Sequence, residues 1–450
     1  MKFRYRNKEE MKDSGVEWVG KIPEDWGMTR VKHIIREKIT DGPHETPDFI
    51  DKGIPFLSVD AIQNGNLVFE DCRYISVEDH LRYIKKCKPE KDDVLIGKAA
   101  STGKIALIKR EIEFSIWSPL ALLKPDEKKI VAKYLEYSMK GSHTQHEIEL
   151  LCTSNTQKNI SMDDIVKIKV ILADIDIQKK IVGFLHQKET QFDTIISKKE
   201  ALIKTLEEAK KSLISEVVTG KIKVVKTSTG YELVERKKEE MKDSGVEWLG
   251  DVPIEWETKA IRYLFQLRNE RNAKDMKDVQ LLSLFTALGV KKQGEVLARG
   301  NKVRTVEDYK EVYPDDIVVN IILAWMGAIG VSQDRGVISP AYDIYKPINP
   351  LINSKFYHYV FRTGRFSGEC YKKGRGIMDM RWRTYSNEFK SIIVPVVSTD
   401  EQKLLTNFLD SRITDIENLI NKTKQQIKNI KAAKQSLISE AVTGKIEILD

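Results

Sequence analysis

The sequence predicts an α+β protein. Two mixed α/β domains are joined by two long antiparallel coiled-coil helices, arranged as a pseudo-two-fold tandem repeat. Three observations carry this expectation. An eleven-residue segment occurs twice, two long stretches place apolar residues at coiled-coil spacing, and the stretches between alternate short apolar runs with turn residues.

The repeat comes first. Lys8 to Trp18 reads KEEMKDSGVEW, and Lys238 to Trp248 repeats it letter for letter, 230 residues later. Each copy leads into a Pro and a second Trp, Ile22-Pro23-Glu24-Asp25-Trp26 and Val252-Pro253-Ile254-Glu255-Trp256. A second pair, SLISEVVTGKI from Ser212 and SLISEAVTGKI from Ser436, is offset by 224 residues. The frame is kept while its filling differs, as expected of one scaffold carrying two distinct readers. The predicted boundaries are 1–175 for the first frame segment and domain, 176–220 for a central helix, and 221–256 for a linker and repeated frame segment. A second domain follows at 257–398, then a C-terminal helix at 399–450.

The helices follow from periodicity. Phe192, Ile196, Ile203, Leu206 and Leu213 mark one stripe, and Ile416, Ile420, Ile427, Ile430 and Leu437 mark the other. Steps of three and four form a coiled-coil seam. Asp176 and Thr399-Asp400-Glu401 supply N-terminal caps and first-turn acids, while Gly220 and Gly444 supply stops. Forty-odd residues at 1.5 Å each make rods of roughly 60 Å. Two such stripes in one chain most simply bury each other; separate dimerising coiled coils would need a second chain.

Both intervening segments read as strands with one helix each, Val131 to Lys140 and Ser354 to Arg362. They share a skeleton: Asp92-Asp93-Val94-Leu95 aligns with Asp315-Asp316-Ile317-Val318, and Gly103 with Gly327. The longest apolar run, Ile317 to Val331, contains Asn320 and is shorter than the ~20 residues that span a bilayer. Two buried strands account for it.

Composition narrows the class. A chain of 450 residues with 41% hydrophobic and 32% charged residues is a soluble, multidomain protein, and its net charge of +8 mildly favours anionic partners. The N-terminus lacks the apolar stretch of a secretory signal, and the four cysteines are scattered, so a cytoplasmic, reducing location without membrane contact is expected.

Several motifs carry a family resemblance. They are Gly15-Val16-Glu17-Trp18 with Ile22-Pro23, Asp41-Gly42-Pro43-His44 followed by Gly53-Ile54-Pro55-Phe56-Leu57, and Thr156-Gln157-Lys158-Asn159-Ile160-Ser161 before a closing strand. Gln178 and Gln402 open the long helices. Across nearly its whole length the chain resembles the specificity subunit of type I DNA restriction–modification systems. The resemblance implies a non-catalytic reader of double-stranded DNA. Each variable segment would be a target-recognition domain gripping one half of a split target. The helices would set the gap and hold two modification (methyltransferase) subunits, with restriction motor-nuclease subunits as further partners. S-adenosylmethionine, ATP and Mg would sit on those partners, with no cofactor on this chain. The second segment departs from the pattern: it lacks Gln-Lys-Asn-Ile-Ser and has Gly376-Ile377-Met378-Asp379-Met380-Arg381-Trp382 instead.

The chemistry of individual motifs agrees with a reader. Gly97 to Lys104 imitates a phosphate loop, but five residues separate its glycines and Ile105 stands where Ser or Thr would bind magnesium. It reads as a turn offering Lys98, Ser101 and Lys104 to DNA phosphates. His143 and His146 lack companion ligands and read as solvent-exposed. Lys372, Lys373, Arg375, Arg381 and Arg383 cluster around glycines and Trp382, cations suited to phosphates and to guanine. Ser154, Asn155, Gln157 and Lys158 lie in an amide-rich stretch suited to adenine edges. Thr40, Asp41, Gly42 and His44 form a turn, and the resemblance makes them DNA contacts. The alternative reading is a coiled-coil scaffold for protein partners that never touches DNA.

Overall fold

The computed structural model describes residues 2–153, 158–286, 288–294, 305–377 and 382–449. The chain forms two compact units, Met1–Glu200 with Lys424–Asp450, and Ala201–Thr423. Each is built around a four-stranded antiparallel sheet. In the first unit the strand order is Ile105–Leu107, Val94–Gly97, Leu120–Leu123, Thr40–Asp41. In the second it is Ile329–Val331, Ile317–Asn320, Tyr342–Pro347, Phe265–Arg268. Matching strands by their place in sequence gives the same order twice. The apolar run from Ile317 to Val331 resolves into a hairpin, as expected.

Unbroken apolar runs mark strands covered on both faces. Val94 to Ile96 and Leu120 to Leu123 are almost wholly buried. In the first unit Ala132–Lys140 packs on the sheet and continues into Ser142–Leu151; Ser354–Phe361 and Gly364–Lys373 are the counterparts in the second. The second helix of each pair was not expected. Ser142 to Leu151 has a weak apolar stripe, and Gly364 and Gly368 disguise the other as loop. Lys372 and Lys373 consequently end a helix and do not lie in a basic loop.

The shared skeleton extends to single residues. Asp92 and Asp315 both adopt a left-handed conformation, at φ 67° and 68°. The buried carboxylates that follow accept backbone N–H groups, Asp93 from Glu90 at 2.9 Å and Asp316 from Tyr313 at 2.8 Å. Lys124 lies 3.0 Å from Asp93, and Arg268 lies 2.8 Å from Asp316. Burial still holds both carboxyls above the ordinary aspartate value. An antiparallel pair closes each domain, Gly27–Arg30 with Lys169–Leu172 and Glu257–Ala260 with Ile393–Val396.

From each closing strand the chain enters a 44-residue helix, Ile175–Val218 and Thr399–Val442. The two glutamines flagged in the sequence tie these helices to their domains. Gln178 is buried; its Oε1 accepts the Val131 N–H and its Nε2 donates to the Ala173 carbonyl, both at 2.8 Å. Gln402 does the same with Asn353 at 2.8 Å and Val397 at 2.7 Å.

Within the first unit Lys434 reaches Asp193 at 2.9 Å and Lys199 donates to Gln426 at 2.7 Å; within the second, Lys210 meets Glu417. In the first unit rising numbers on one helix meet falling numbers on the other, so its two helical segments run antiparallel. Of the expected seam, Ile196, Ile420 and Ile427 are buried. Phe192, Ile203, Leu206, Leu213, Ile416, Ile430 and Leu437 are half-buried.

The repeated motifs meet where the helices end. Gly444 lies against Pro23 and Trp26 in the first unit, and Gly220 against Pro253 and Trp256 in the second. Beyond them Ile446–Ile448 pairs with Phe3–Tyr5, and Ile222–Thr227 pairs with Gly230–Glu235. The register matches as well: Phe3 faces Ile448 and Leu233 faces Val224. Among the described residues no helix is long and apolar enough to cross a membrane.

Candidate nucleic-acid interface

In the first unit three stretches singled out by sequence meet, through their described residues, at one end of the sheet. Asp41 ends the edge strand and is fully buried. Its carboxylate receives Lys86 at 2.6 Å and Lys98 at 2.8 Å, with His44 Nε2 at 3.2 Å. Burial pushes the Asp41 carboxyl up, and the two lysines outweigh it and hold it below the usual value. Asp41 is therefore a positioning anchor with no surface to offer a nucleic acid. Gly42 is buried too: a Cβ there would sit 1.7 Å from the Ile116 carbonyl oxygen, so glycine is needed for close backbone approach. Thr40 is half-buried. Of this group only His44, with its side chain 72% exposed, presents a surface to a ligand.

The anchor exposes cations that the sequence reading passed over. Lys86 and Arg82 line a cleft of about 360 Å³ together with His44, Glu45 and Tyr83. Arg82 belongs to a short helix, Val77–Tyr83, and the run His80-Leu81-Arg82-Tyr83-Ile84-Lys85-Lys86 was the available signal.

The Gly97 to Lys104 stretch is a turn between adjacent strands, as expected. Gly97 N–H donates to Lys104 and Gly103 N–H to Gly97, at 2.8 Å and 2.9 Å. Lys98, Ser101 and Lys104 are half-buried, and the Lys98 ammonium is committed to Asp41. This turn touches the domain's closing loop: Ile160 N–H donates to the Lys98 carbonyl at 2.9 Å, and the Thr102 hydroxyl donates to the Lys158 carbonyl. Lys158 itself is exposed and pairs with Glu149 at 2.6 Å. Ser154, Asn155 and Gln157 lie outside the described residues.

The second unit repeats this junction with other side chains. Thr384 N–H donates to the Ile321 carbonyl at 2.9 Å, the counterpart of the bond from Ile160 to Lys98. Each closing loop thus sits beside the hairpin turn of its own sheet. Among the described residues, the closing-loop ends Ile160 and Thr384 occupy the same place in their domains.

The second loop has a firm base. Arg375 and Arg383 exchange both backbone bonds at 3.0 Å. The Trp382 ring stacks on Tyr371 with centroids 4.9 Å apart and planes 19° apart, and its indole N–H donates to the Tyr371 carbonyl at 3.0 Å. Trp325 from the neighbouring turn packs edge-on against Tyr371 at 5.6 Å. Lys372 is exposed and pairs with Glu247 at 2.5 Å, which raises its ammonium pKa. Lys373 is exposed. Arg375, 70% exposed, lies 3.1 Å from Glu388 and over the Tyr385 ring at 5.0 Å. Arg383 is half-buried, and Arg381 lies outside the described residues.

The histidine pair departs from expectation. His146 is exposed and packs edge-on against Trp18 at 6.0 Å, but His143 is buried at 5% exposure. The turn of the helix carries only one of them to the surface. Glu147 is also buried, where its carboxylate accepts the Lys169 N–H at 3.0 Å. Among the described residues no group of three His, Cys, Asp or Glu side chains could hold a metal ion.

Residues 23–205 match the family described as type I restriction modification DNA specificity domain. Along 96% of both chains the protein is 22% identical to the putative type I restriction enzyme MjaX specificity subunit of Methanocaldococcus jannaschii. It is 25% identical to the type I restriction enzyme EcoBI specificity subunit of Escherichia coli over 45% of this chain and 43% of that one. Among solved structures, a chain from work on assembly and conformational transition of the type I R-M system aligns with TM-score 0.66 at 11% identity. It covers 94% of this chain and 99% of that chain. The HsdS subunit from Thermoanaerobacter tengcongensis aligns with TM-score 0.50 at 10% identity, covering 94% and 98%. At such identities the structural likeness establishes the fold.

Proposed function

We propose that this chain, whose residues 23–205 match the type I restriction–modification DNA specificity domain, is the specificity subunit of such a system. In this reading each α/β domain grips one half of a bipartite DNA target. The long helices set the gap between the halves and hold two methyltransferase subunits. Methyl transfer from S-adenosylmethionine, and ATP- and Mg-dependent restriction where motor-nuclease subunits join, belong to those partners. This chain supplies recognition without catalysis.

One observation carries the reading beyond resemblance: equivalent loops on a common scaffold bear different chemistry. The junction bonds from Ile160 to Lys98 and from Thr384 to Ile321 are the same bond in two domains, while the loops beside them differ in residue type. A scaffold held constant under changed contacting loops is what reading two different half-sites requires.

Selection from random duplex DNA with the modification subunits present tests it. The expected product is two short fixed blocks separated by a constant gap; a single block, or no enrichment, overturns the reading. Salt titration separates it from a protein-only scaffold. Phosphate contacts make log affinity fall with log salt by about 0.9 per neutralised phosphate, whereas a complex insensitive to salt favours the scaffold.

A further inference from the structure

The loop that closes the second domain displays a side chain that its own fold does not use. Ile377 is 89% exposed, the highest value for a large apolar side chain among the described residues. Leaving an isoleucine in water forgoes the favourable free energy of burying it. Its surroundings are cationic: Lys372, Lys373 and Arg375 are all exposed within five residues before it. Gly374 and Gly376 bracket Arg375, and a Cβ at Gly374 would come within 2.5 Å of the Trp382 indole nitrogen. The stacked Tyr371 and Trp382 rings and the reciprocal Arg375–Arg383 backbone bonds hold the segment that leads to the isoleucine.

An exposed apolar side chain beside a firm base and a run of exposed cations suits a partner that is anionic outside and apolar within. Duplex DNA has that character, since phosphates flank stacked bases whose faces are apolar. Apolar side chains inserted at a base step unstack it and kink the duplex, at a cost of a few kcal/mol that wider contact offsets. Resting on the DNA-reading function proposed above, we propose that Ile377 is a wedge that enters a base step of the half-site bound by the second domain. Lys373 beside it holds a flanking phosphate and the isoleucine supplies the apolar insertion. A half-site containing a flexible pyrimidine–purine step would lower the deformation cost.

The test uses the full chain with its modification subunits on the selected duplex, with 2-aminopurine placed at successive positions of each half-site. The expected result is a several-fold rise in fluorescence at one step of the second domain's half-site. Ile377→Ala should abolish that rise and weaken binding about tenfold without changing the salt slope, while Ile377→Leu should restore both. Lys373→Ala should keep the rise and reduce the salt slope by about 0.9, the value for one phosphate contact. Binding without any brightening, or brightening that survives in Ile377→Ala, overturns the wedge and leaves the DNA-reading function standing. Ile377→Ala that spares DNA binding but releases a modification subunit also overturns it, and makes Ile377 a protein contact. Failure of the wild-type complex to bind DNA overturns both proposals together.

Discussion

His143 shows how little residue type alone says about role. Both of its ring nitrogens are buried and have no hydrogen-bond partner among the described residues. Burial, with a smaller push from Lys445, lowers its pKa to about 4. In the second domain, burial and then Arg362 and Lys355 lower His358 to about 3, and its Nδ1 accepts the Val331 N–H at 3.2 Å. Both imidazoles are therefore neutral in the folded protein. In the unfolded chain they take up protons near the ordinary value of about 6.5. The unfolded state then binds more protons over the interval between, so stability rises with pH there. The contribution is complete above about pH 6.5 and is lost as pH falls toward 4. Urea midpoints should drop between pH 7 and pH 5.5, by an amount on the order of 1 kcal/mol per histidine. Replacing His143→Leu should remove part of that dependence. Equal pH slopes for wild type and variant would show that His143 takes up its proton over the same pH range in the folded protein as in the unfolded chain. Asp41 teaches the same lesson from the other direction. The family resemblance suggested a contact with DNA, and the complete burial of Asp41 makes it the anchor for Lys86 and Lys98 instead.

At the scale of elements, the repeated motifs acquire a physical meaning that letters alone could not supply. Thr-Gly-Lys after each helix and Pro-x-x-Trp in each frame segment are two halves of one contact. Gly444 has φ +69°, and a Cβ there would lie 2.4 Å from Pro23 Cγ and 2.9 Å from Trp26 Cζ3. Proline and tryptophan rings have little freedom to withdraw. Gly444→Ala should cost about 2–4 kcal/mol, combining left-handed strain with overpacking. Hydrogen exchange should then rise around Pro23 and in the strand Ile446–Ile448. Unchanged exchange in that strand would mean that the helix end and frame segment are not coupled. The helices were legible because their period is regular over 44 residues and interrupted by no proline. Their polar seam positions were not, because a search for apolar residues passes over Lys199, Lys210, Thr423 and Lys434. Thr423 is buried at 3% exposure. The three lysines meet Gln426, Glu417 and Asp193 on the opposing helix. A lysine in a seam lowers stability and in return selects its partner.

For the molecule as a whole, fold and site were legible to different depths. The common skeleton could be read because it depends on local chemistry, such as the left-handed Asp92 and Asp315 and the buried Asp93 and Asp316 behind them. The interface could not be read to the same depth. Which cations stay exposed is decided by long-range packing: Lys98 and Lys86 both pair with Asp41, but the Lys98 side chain is 16% exposed and the Lys86 side chain is 56% exposed, in the cleft that Arg82 also lines. The proposal that the helices set the gap between half-sites makes the last prediction. Lys199 donates to Gln426, so these positions lie at one level of the antiparallel pair. Seven residues of matching heptad pattern inserted after each should keep the seam in phase and lengthen both helices together by about 10 Å. At about 3.4 Å per base pair that corresponds to roughly three base pairs. Selected DNA should show a gap longer by about that amount, with both half-sites unchanged because neither recognition domain is touched. The same insertion in one helix alone would set seven residues against none, so its seam would lose pairing and its thermal stability should fall. A gap that stays constant in the doubly extended protein would show that the separation of the half-sites is fixed by something other than the length of the helices.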